Sequence, residues 1–241
     1  MAIEIGQIDA LYRYPVKSMR GEQLDAAALG WHGIDGDRRL AFRRVDERGG
    51  NPWLSASRLP ELLSFTPLRQ DDNLDTLPTH VRMAEGEEMP LFGDALASEV
   101  GRRLGAPVQM MRLRQGIFDE ASLSVISSAT VDEIGRLAEE RADVRRFRPN
   151  LVVRSTREVP FEEDDWVGGV LTFGDADDAA AVAVTMRDLR CSMVNLDPDG
   201  GSPAPEVMKA CVRANKNTAG IYGTVTRIGR LAVGQSIFLH R

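Results

Sequence analysis

From residue 107 onward the chain is a series of short apolar or β-branched runs, each closed by glycine, proline, aspartate or asparagine. They read PVQMMRL, SLSVIS, NLVVRS, GGVLTFG, AVAVTMRDL, CSMVNL, AGIYGTVTRIG and QSIFLH. Runs of this length, punctuated this often, suit strands joined by tight turns rather than amphipathic helices. The N-terminus reads the same way: IEIGQIDALYRYP alternates Ile3, Ile5 and then Ile8 before a stop at Pro15. The shorter runs LDAAALG and RRLAFRR follow it as strands. Many short strands with few helices predict a β-rich α+β fold, a barrel or sandwich rather than a doubly wound sheet. No G-x-G-x-x-G or Walker-type loop follows a strand, which argues against a dinucleotide or ATP enzyme.

Two or three helices are expected. Asp94 is placed to cap ALASEVGRRLG, which ends at Gly105 with arginines in its last turn, where the helix dipole favours them. Thr130 and Glu133 read as a T-x-x-E capping box on VDEIGRLAEE, with Val131, Ile134, Leu137 and Ala138 along one face. Pro205 opens PEVMKACVRAN, with Val207, Ala210, Cys211 and Ala214 on one side. Residues 70–80, QDDNLDTLPTH, are polar and turn-rich. They read as the boundary between an N-terminal β-rich region, 1–75, and a larger domain, 76–241.

Composition narrows the function classes. A net charge of −6 over 241 residues does not favour nucleic acid. No apolar run approaches the roughly 20 residues of a membrane helix, and the N-terminus lacks a signal-peptide pattern. A soluble, cytoplasmic protein without a membrane partner is expected. Two cysteines, Cys191 and Cys211, are too few for a disulfide framework, and their spacing is not a zinc pattern. Of 30 lysines and arginines only Lys17, Lys209 and Lys216 are lysines. Arginine grips phosphate with a two-pronged fork, though composition alone does not say which arginines do so.

Four stretches could carry chemistry. In RDLRCSMVNLDPDG, residues 187–200, Cys191 follows Arg190 and lies near a strand end. It reads as a packed thiol, a nucleophile or a soft-metal ligand; nearby Arg187 and Arg190 would favour the thiolate. Cys211, on the apolar side of a helix, reads as structural. In YPVKSMRG, residues 14–21, Lys17 and Ser18 offer an ammonium, a hydroxyl and exposed backbone N–H groups to a phosphate oxygen. In GIDGDRRLAF, Arg38 and Arg39 point to opposite faces if extended, so one of them can face a given site. In VRRFRPNLVV, Arg146 and Arg148 share a face at the mouth of an apolar strand, ahead of Asn150. His32, His80 and His240 are scattered and suggest no triad or metal pattern.

These stretches occur in a fixed order: YPVKSMRG, GDRRLAF, LSASRLPEL, RFRPNLVV, EDDWVG and RCSMVNLDPDG. In that order they resemble the MOSC family, named for the C-terminal domain of molybdenum-cofactor sulfurases. They are closest to its branch of amidoxime-reducing components and their bacterial relatives. The resemblance spans about residues 3–239. It implies a MOSC-type β-barrel preceded by an N-terminal β-rich MOSC-associated region, with a few short helices. By residue-by-residue matching it implies that Cys191 is the catalytic residue and ligates molybdenum. It further implies that Lys17, Ser18, Arg38, Arg148 and Asn150 bind the pterin cofactor, with Ser127 (in VISSAT) and Arg190 as weaker carry-overs. NKNTAGIYGTVTRIGRLAVGQ departs from the family's usual Phe-Gly stretch, which leaves the substrate-side wall undefined.

The function so implied is a molybdenum-cofactor oxidoreductase acting on N-hydroxylated small molecules. The 241 residues include no cysteine-rich ferredoxin module, so electrons are expected from a separate ferredoxin- or flavoprotein-type protein. Two alternatives share the thiol or the cofactor: a sulfur carrier with a persulfide on Cys191, and a non-enzymatic molybdenum-cofactor carrier.

Overall fold

The computed structural model describes residues 2–70, 73 and 76–241. Its first strands are β1 (Ala2–Arg13), β2 (Glu22–Leu24), β3 (Ala26–Gly30), β4 (Gly33–Ile34), β5 (Leu40–Arg44), β6 (Thr66–Leu68), β7 (His80–Arg82) and β8 (Glu88–Pro90). Helix α1 (Asp94–Leu104) follows, then β9 (Val108–Arg112), β10 (Leu123–Ser127), α2 (Ser128–Ala138) and β11 (Leu151–Ser155). The chain continues through β12 (Val170–Phe173), β13 (Ala180–Leu189), α3 (Pro205–Asn215), β14 (Thr218–Arg227), β15 (Gly229–Ala232) and β16 (Ser236–His240). Of the boundary expected at 70–80, residues 71, 72, 74 and 75 lie outside the described residues.

Strands β11, β10, β14, β13, β12, β16 and β1 pair in that order, and β1 pairs back onto β11 to close a seven-stranded barrel. The alternation in the sequence becomes the inside of this barrel. Leu123 and Val125, Leu151 and Val153, Leu171 and Phe173, Val182 and Val184, and Ile237 and Leu239 all join one buried cluster. Each pair is two residues apart, as the pleat requires. β1 breaks the rule, because Ile8 and Leu11 are both buried at a spacing of three. The register with β11 shifts between Ile8 and Ala10. One extra residue in a bulge restores the inward direction.

Two further cores flank the barrel. β5 pairs with β9, and Leu40, Phe42 and Met110 pack with Leu96 and Val100 of α1. The crossover from β10 through α2 to the parallel strand β11 packs Val131 and Ile134 against Val207, Ala210 and Cys211 of α3.

The structure corrects several local expectations. α1 has Gly93 at its N-cap with no side-chain hydrogen bond, and Asp94 is already its first helical residue; it does end at Gly105, in the left-handed region (φ 75°). α2 starts earlier than the capping-box reading: Ser127 is the N-cap and accepts from the Thr130 N–H. Glu133 instead pairs with Arg136 at 2.7 Å. Ala214 is exposed. CSMVNL is not a strand, because residues Ser192–Asn195 form a 3₁₀ turn with Cys191 at its N-cap.

Candidate functional site

The turn after β1 and the segment entering β5 are laced together by their backbones. Arg38 N–H donates to Tyr14 O at 2.7 Å, Lys17 N–H to Leu40 O at 2.8 Å, and Leu40 N–H to Pro15 O at 3.0 Å. This pins Lys17, Ser18 and Arg38 side by side. The segment entering β11 brings Arg148 to them, and the end of β13 brings Cys191. Together they line a cleft of about 330 Å³, with Asp119, Asp188, Arg190 and Tyr222 also on its walls. No histidine lines it.

Three of the eight non-glycine residues with positive φ among the described residues line this cleft. Ser18 (φ 67°), Arg38 (φ 49°) and Arg148 (φ 50°) are all left-handed without being glycine. Each such residue costs on the order of 1 kcal/mol or more, and such strain concentrates at functional sites.

Lys17 is buried, and its Nζ lies 2.7 Å from Asp119 Oδ1. The pair is lopsided: the lysine side chain is 8% exposed and the aspartate 68%. The protein around the cleft mouth partly desolvates the Asp119 carboxyl, which raises it, but the exposed carboxyl feels Lys17, with Arg38 and Arg148 behind it, more strongly and is held below the usual range. Arg38 pairs with Asp37 and donates Nη2 to Arg148 O at 3.0 Å. Arg148 donates Nη1 to Met19 O at 2.9 Å. Its Nη2 is buried and makes no hydrogen bond among the described residues. Burial pushes this guanidinium down to about 10, so it remains a cation at neutral pH. Both guanidinium groups lie over the Tyr14 ring, Arg38 at 4.9 Å and Arg148 at 4.2 Å.

Cys191 is exposed to the cleft, and Cys211 is buried on α3 with its thiol pushed up to about 11 by burial. The arginines expected to act on Cys191 are engaged elsewhere. Arg190 bonds Ala219 O at 2.7 Å and Phe147 O at 2.9 Å and pairs with Asp188 at 2.9 Å. Arg187 reaches Asp164. Arg190 thus lines the cleft while bracing its wall.

Two sequence candidates lie off the cleft. Ser127 is fully buried, caps α2, and its Oγ lies 2.9 Å from Glu163 Oε2. The structure does not bring Ser127, a carry-over from the family resemblance, to the cleft with Cys191. Asn150 is buried beneath the cleft; it donates to Asp37 Oδ2 at 3.1 Å and accepts from the Ser124 N–H at 3.2 Å. It holds β10, β11 and Asp37 in register and does not line the cavity.

Sequence reasoning passed over Tyr14, Asp37 and Asp188. Asp37 accepts from the Tyr14 N–H at 2.7 Å and from Asn150. Asp188 is almost fully buried and accepts from Ser124 Oγ at 3.1 Å. Burial raises its carboxyl to about 6, against the pull of Arg190, Ser124 and Tyr222. The RDLRC string held the one available signal, an acid in the middle of an apolar strand end.

Among the described residues no group of three or more His, Cys, Asp or Glu side chains could hold a metal ion. A metal at Cys191 would have to bring most of its own ligands. An exposed thiol, an unpartnered buried guanidinium and a lysine on a displaceable carboxylate fit an anionic metal complex carried by an organic group. No helix among the described residues is long and apolar enough to cross a membrane.

Comparisons with known proteins agree with this layout. A family model for the MOSC domain matches residues 93–238, and one for the MOSC N-terminal beta barrel domain matches residues 5–94. Mitochondrial amidoxime reducing component 2 from Bos taurus is 25% identical over 289 residues, covering 98% of this chain and 83% of that protein. The YuaD protein from Bacillus subtilis shares the fold, with a TM-score of 0.53 at 16% identity over 100% of this chain and 97% of that one. A barrel closed by seven strands, a strained basic cleft with one open thiol, and two adjoining matches that span nearly all of it make the chain a member of the MOSC domain family, with a molybdenum-cofactor-related function.

Proposed function

We propose that the chain holds a molybdenum cofactor in the Cys191 cleft and reduces N-hydroxylated compounds with electrons from a separate redox protein. The observation that carries this reading is the exposed thiol of Cys191 facing the same cavity as Lys17, Arg38 and Arg148. The name of the bovine relative, an amidoxime reducing component, supports the substrate class.

Each residue then has a task. Cys191 supplies a soft anionic sulfur to the metal. Lys17 exchanges Asp119 for a phosphate oxygen, beside the backbone turn at Ser18. Arg148 gives its unpartnered Nη2 to the same anion, and Arg38 fixes the Arg148 backbone. Asn150 keeps Asp37 aimed at Arg38. When bound, the cofactor would supply the two-electron redox chemistry. Converting N–OH to N–H with release of water consumes two electrons and two protons. Asp188, with its raised carboxyl, is the cleft acid able to hold a proton near neutral pH. Two cysteines are too few to ligate an iron–sulfur cluster with these residues, and a ferredoxin- or flavoprotein-type protein is the class of electron donor that fits the proposal.

The test is metal analysis and pterin fluorescence on protein made in a host that synthesises the cofactor. Cys191→Ala should lose molybdenum while its circular dichroism stays unchanged. A mutant that retains stoichiometric metal defeats the assignment. The exposure of Cys191 also suits a persulfide, so mass spectrometry after incubation with a cysteine desulfurase separates the readings. One stable extra sulfur on Cys191 would favour a sulfur carrier. Bound metal without turnover of an amidoxime, given any electron donor, would favour a cofactor carrier.

A further inference from the structure

A second cavity, of about 470 Å³, lies on the far side of the cleft wall. The two share Arg146, Arg148 and Met193, but the second contains neither Cys191 nor Lys17. Five arginines line it: Arg20, Arg141, Arg145, Arg146 and Arg148.

Their charges are poorly compensated. Arg145 pairs with Asp143 at 2.7 Å and with Asp199 at 2.6 Å, and Asp199 also holds Arg20 at 3.0 Å. Two carboxylates thus serve these two arginines. The other three have no carboxylate within ion-pair distance among the described residues. Arg146 bonds the carbonyls of Asn195 and Leu196, Arg148 bonds that of Met19, and Arg141 has no hydrogen bond or ion pair there. Carbonyls satisfy N–H groups without cancelling charge. In addition, Arg20 Nε and Arg146 Nε are buried and make no hydrogen bond among the described residues. Unmet buried donors are rare in folded proteins, and two on one cavity point to a missing acceptor.

Two tyrosines, Tyr12 and Tyr14, share the rest of the wall with aliphatic residues and Asp143. Tyr12 is half-buried, lines the cavity, and stacks on Tyr14 with centroids 6.5 Å apart and planes 22° from parallel. Tyr14 in turn carries Arg148 on its face. A planar ring could extend this stack while a polyphosphate takes the guanidinium forks. Arg141 and Arg146, which have no carboxylate partner among the described residues, and Arg20, which shares Asp199 with Arg145, face the charge of about −3 on a nucleoside diphosphate at neutral pH.

We propose that this cavity is a binding site for a free nucleoside diphosphate, its phosphates on Arg20, Arg141 and Arg146 and its ring against Tyr12. The site goes beyond the cofactor reading and does not depend on it. A ligand there presses on Arg146, Arg148 and Met193, the wall it shares with the Cys191 cleft.

Isothermal titration of cofactor-free protein with ADP tests this. ADP should bind at one site, and raising the salt should weaken it. Arg141→Gln, an exposed substitution that leaves the packing intact, should weaken binding at least threefold. Combined with Arg20→Gln it should do so at least tenfold, and Tyr12→Leu at least threefold. Lys17→Gln, confined to the other cleft, should leave ADP binding unchanged. Absence of saturable binding overturns the proposal, as does loss with Lys17→Gln in place of Arg141→Gln. Adenosine binding as tightly as ADP would remove the phosphate claim, and inorganic pyrophosphate binding as tightly would remove the nucleoside claim.

Discussion

At the residue scale, the two cysteines divide by environment. Ellman-type titration of the folded protein should label one thiol rapidly, at Cys191, and the second only after unfolding. Two equally fast thiols would contradict the burial of Cys211. Asp188 carries a pH signature. Its carboxyl rises from 3.8 to about 6 on folding, so the folded state binds more protons than the unfolded state between those values. Stability from this group is present at low pH and lost as pH rises through 6. Asp188→Asn should therefore gain on the wild type by about 2 kcal/mol between pH 4 and pH 7, read from urea midpoints. Parallel pH profiles for the two proteins would refute this. Lys17, Arg38, Arg148 and Cys191 were legible because each lies in a string with its own order in the chain. Tyr14 and Asp188 were not, because their importance comes from burial among distant partners, which no local string encodes.

At the scale of elements, Gly220 in β14 shows how a strand makes room for the site. Its φ is +82°, and a Cβ there would meet Val125 O at 2.6 Å and Arg190 Nη2 at 3.1 Å. Gly220→Ala should destabilise the protein by at least about 1 kcal/mol, whereas Gly50→Ala, with open space around it, should be near neutral. Equal chemical denaturation midpoints for the two variants would contradict this close approach. Strands were well marked by alternation, and the bulge between Ile8 and Ala10 accounts for the spacing of three from Ile8 to Leu11. Helix starts were less legible. Ser127 and Thr130 are both good capping residues, and only the end of β10 decides that Ser127 takes the role. CSMVNL looked like a strand because apolar runs of six do not distinguish a strand from a 3₁₀ turn.

At the scale of the whole molecule, the barrel interior is shared by seven strands drawn from both ends of the chain. Phe173 is buried at its centre, and Phe173→Ala should cost about 3–5 kcal/mol. A calorimetric melting point unchanged by that substitution would mean that the ring does not bear on the interior. Barrel class was readable from strand density, but closure was not, since pairing between residues 150 positions apart leaves no mark in a local window. That closure governs assembly. Apart from β2, the neighbours of β1 are β11 and β16, so the opening strand emerges from the ribosome long before its flanking partners exist. Loop-closure entropy must be met before those contacts reward it. The barrel therefore closes late, and β1 stays open to chaperones until β16 arrives.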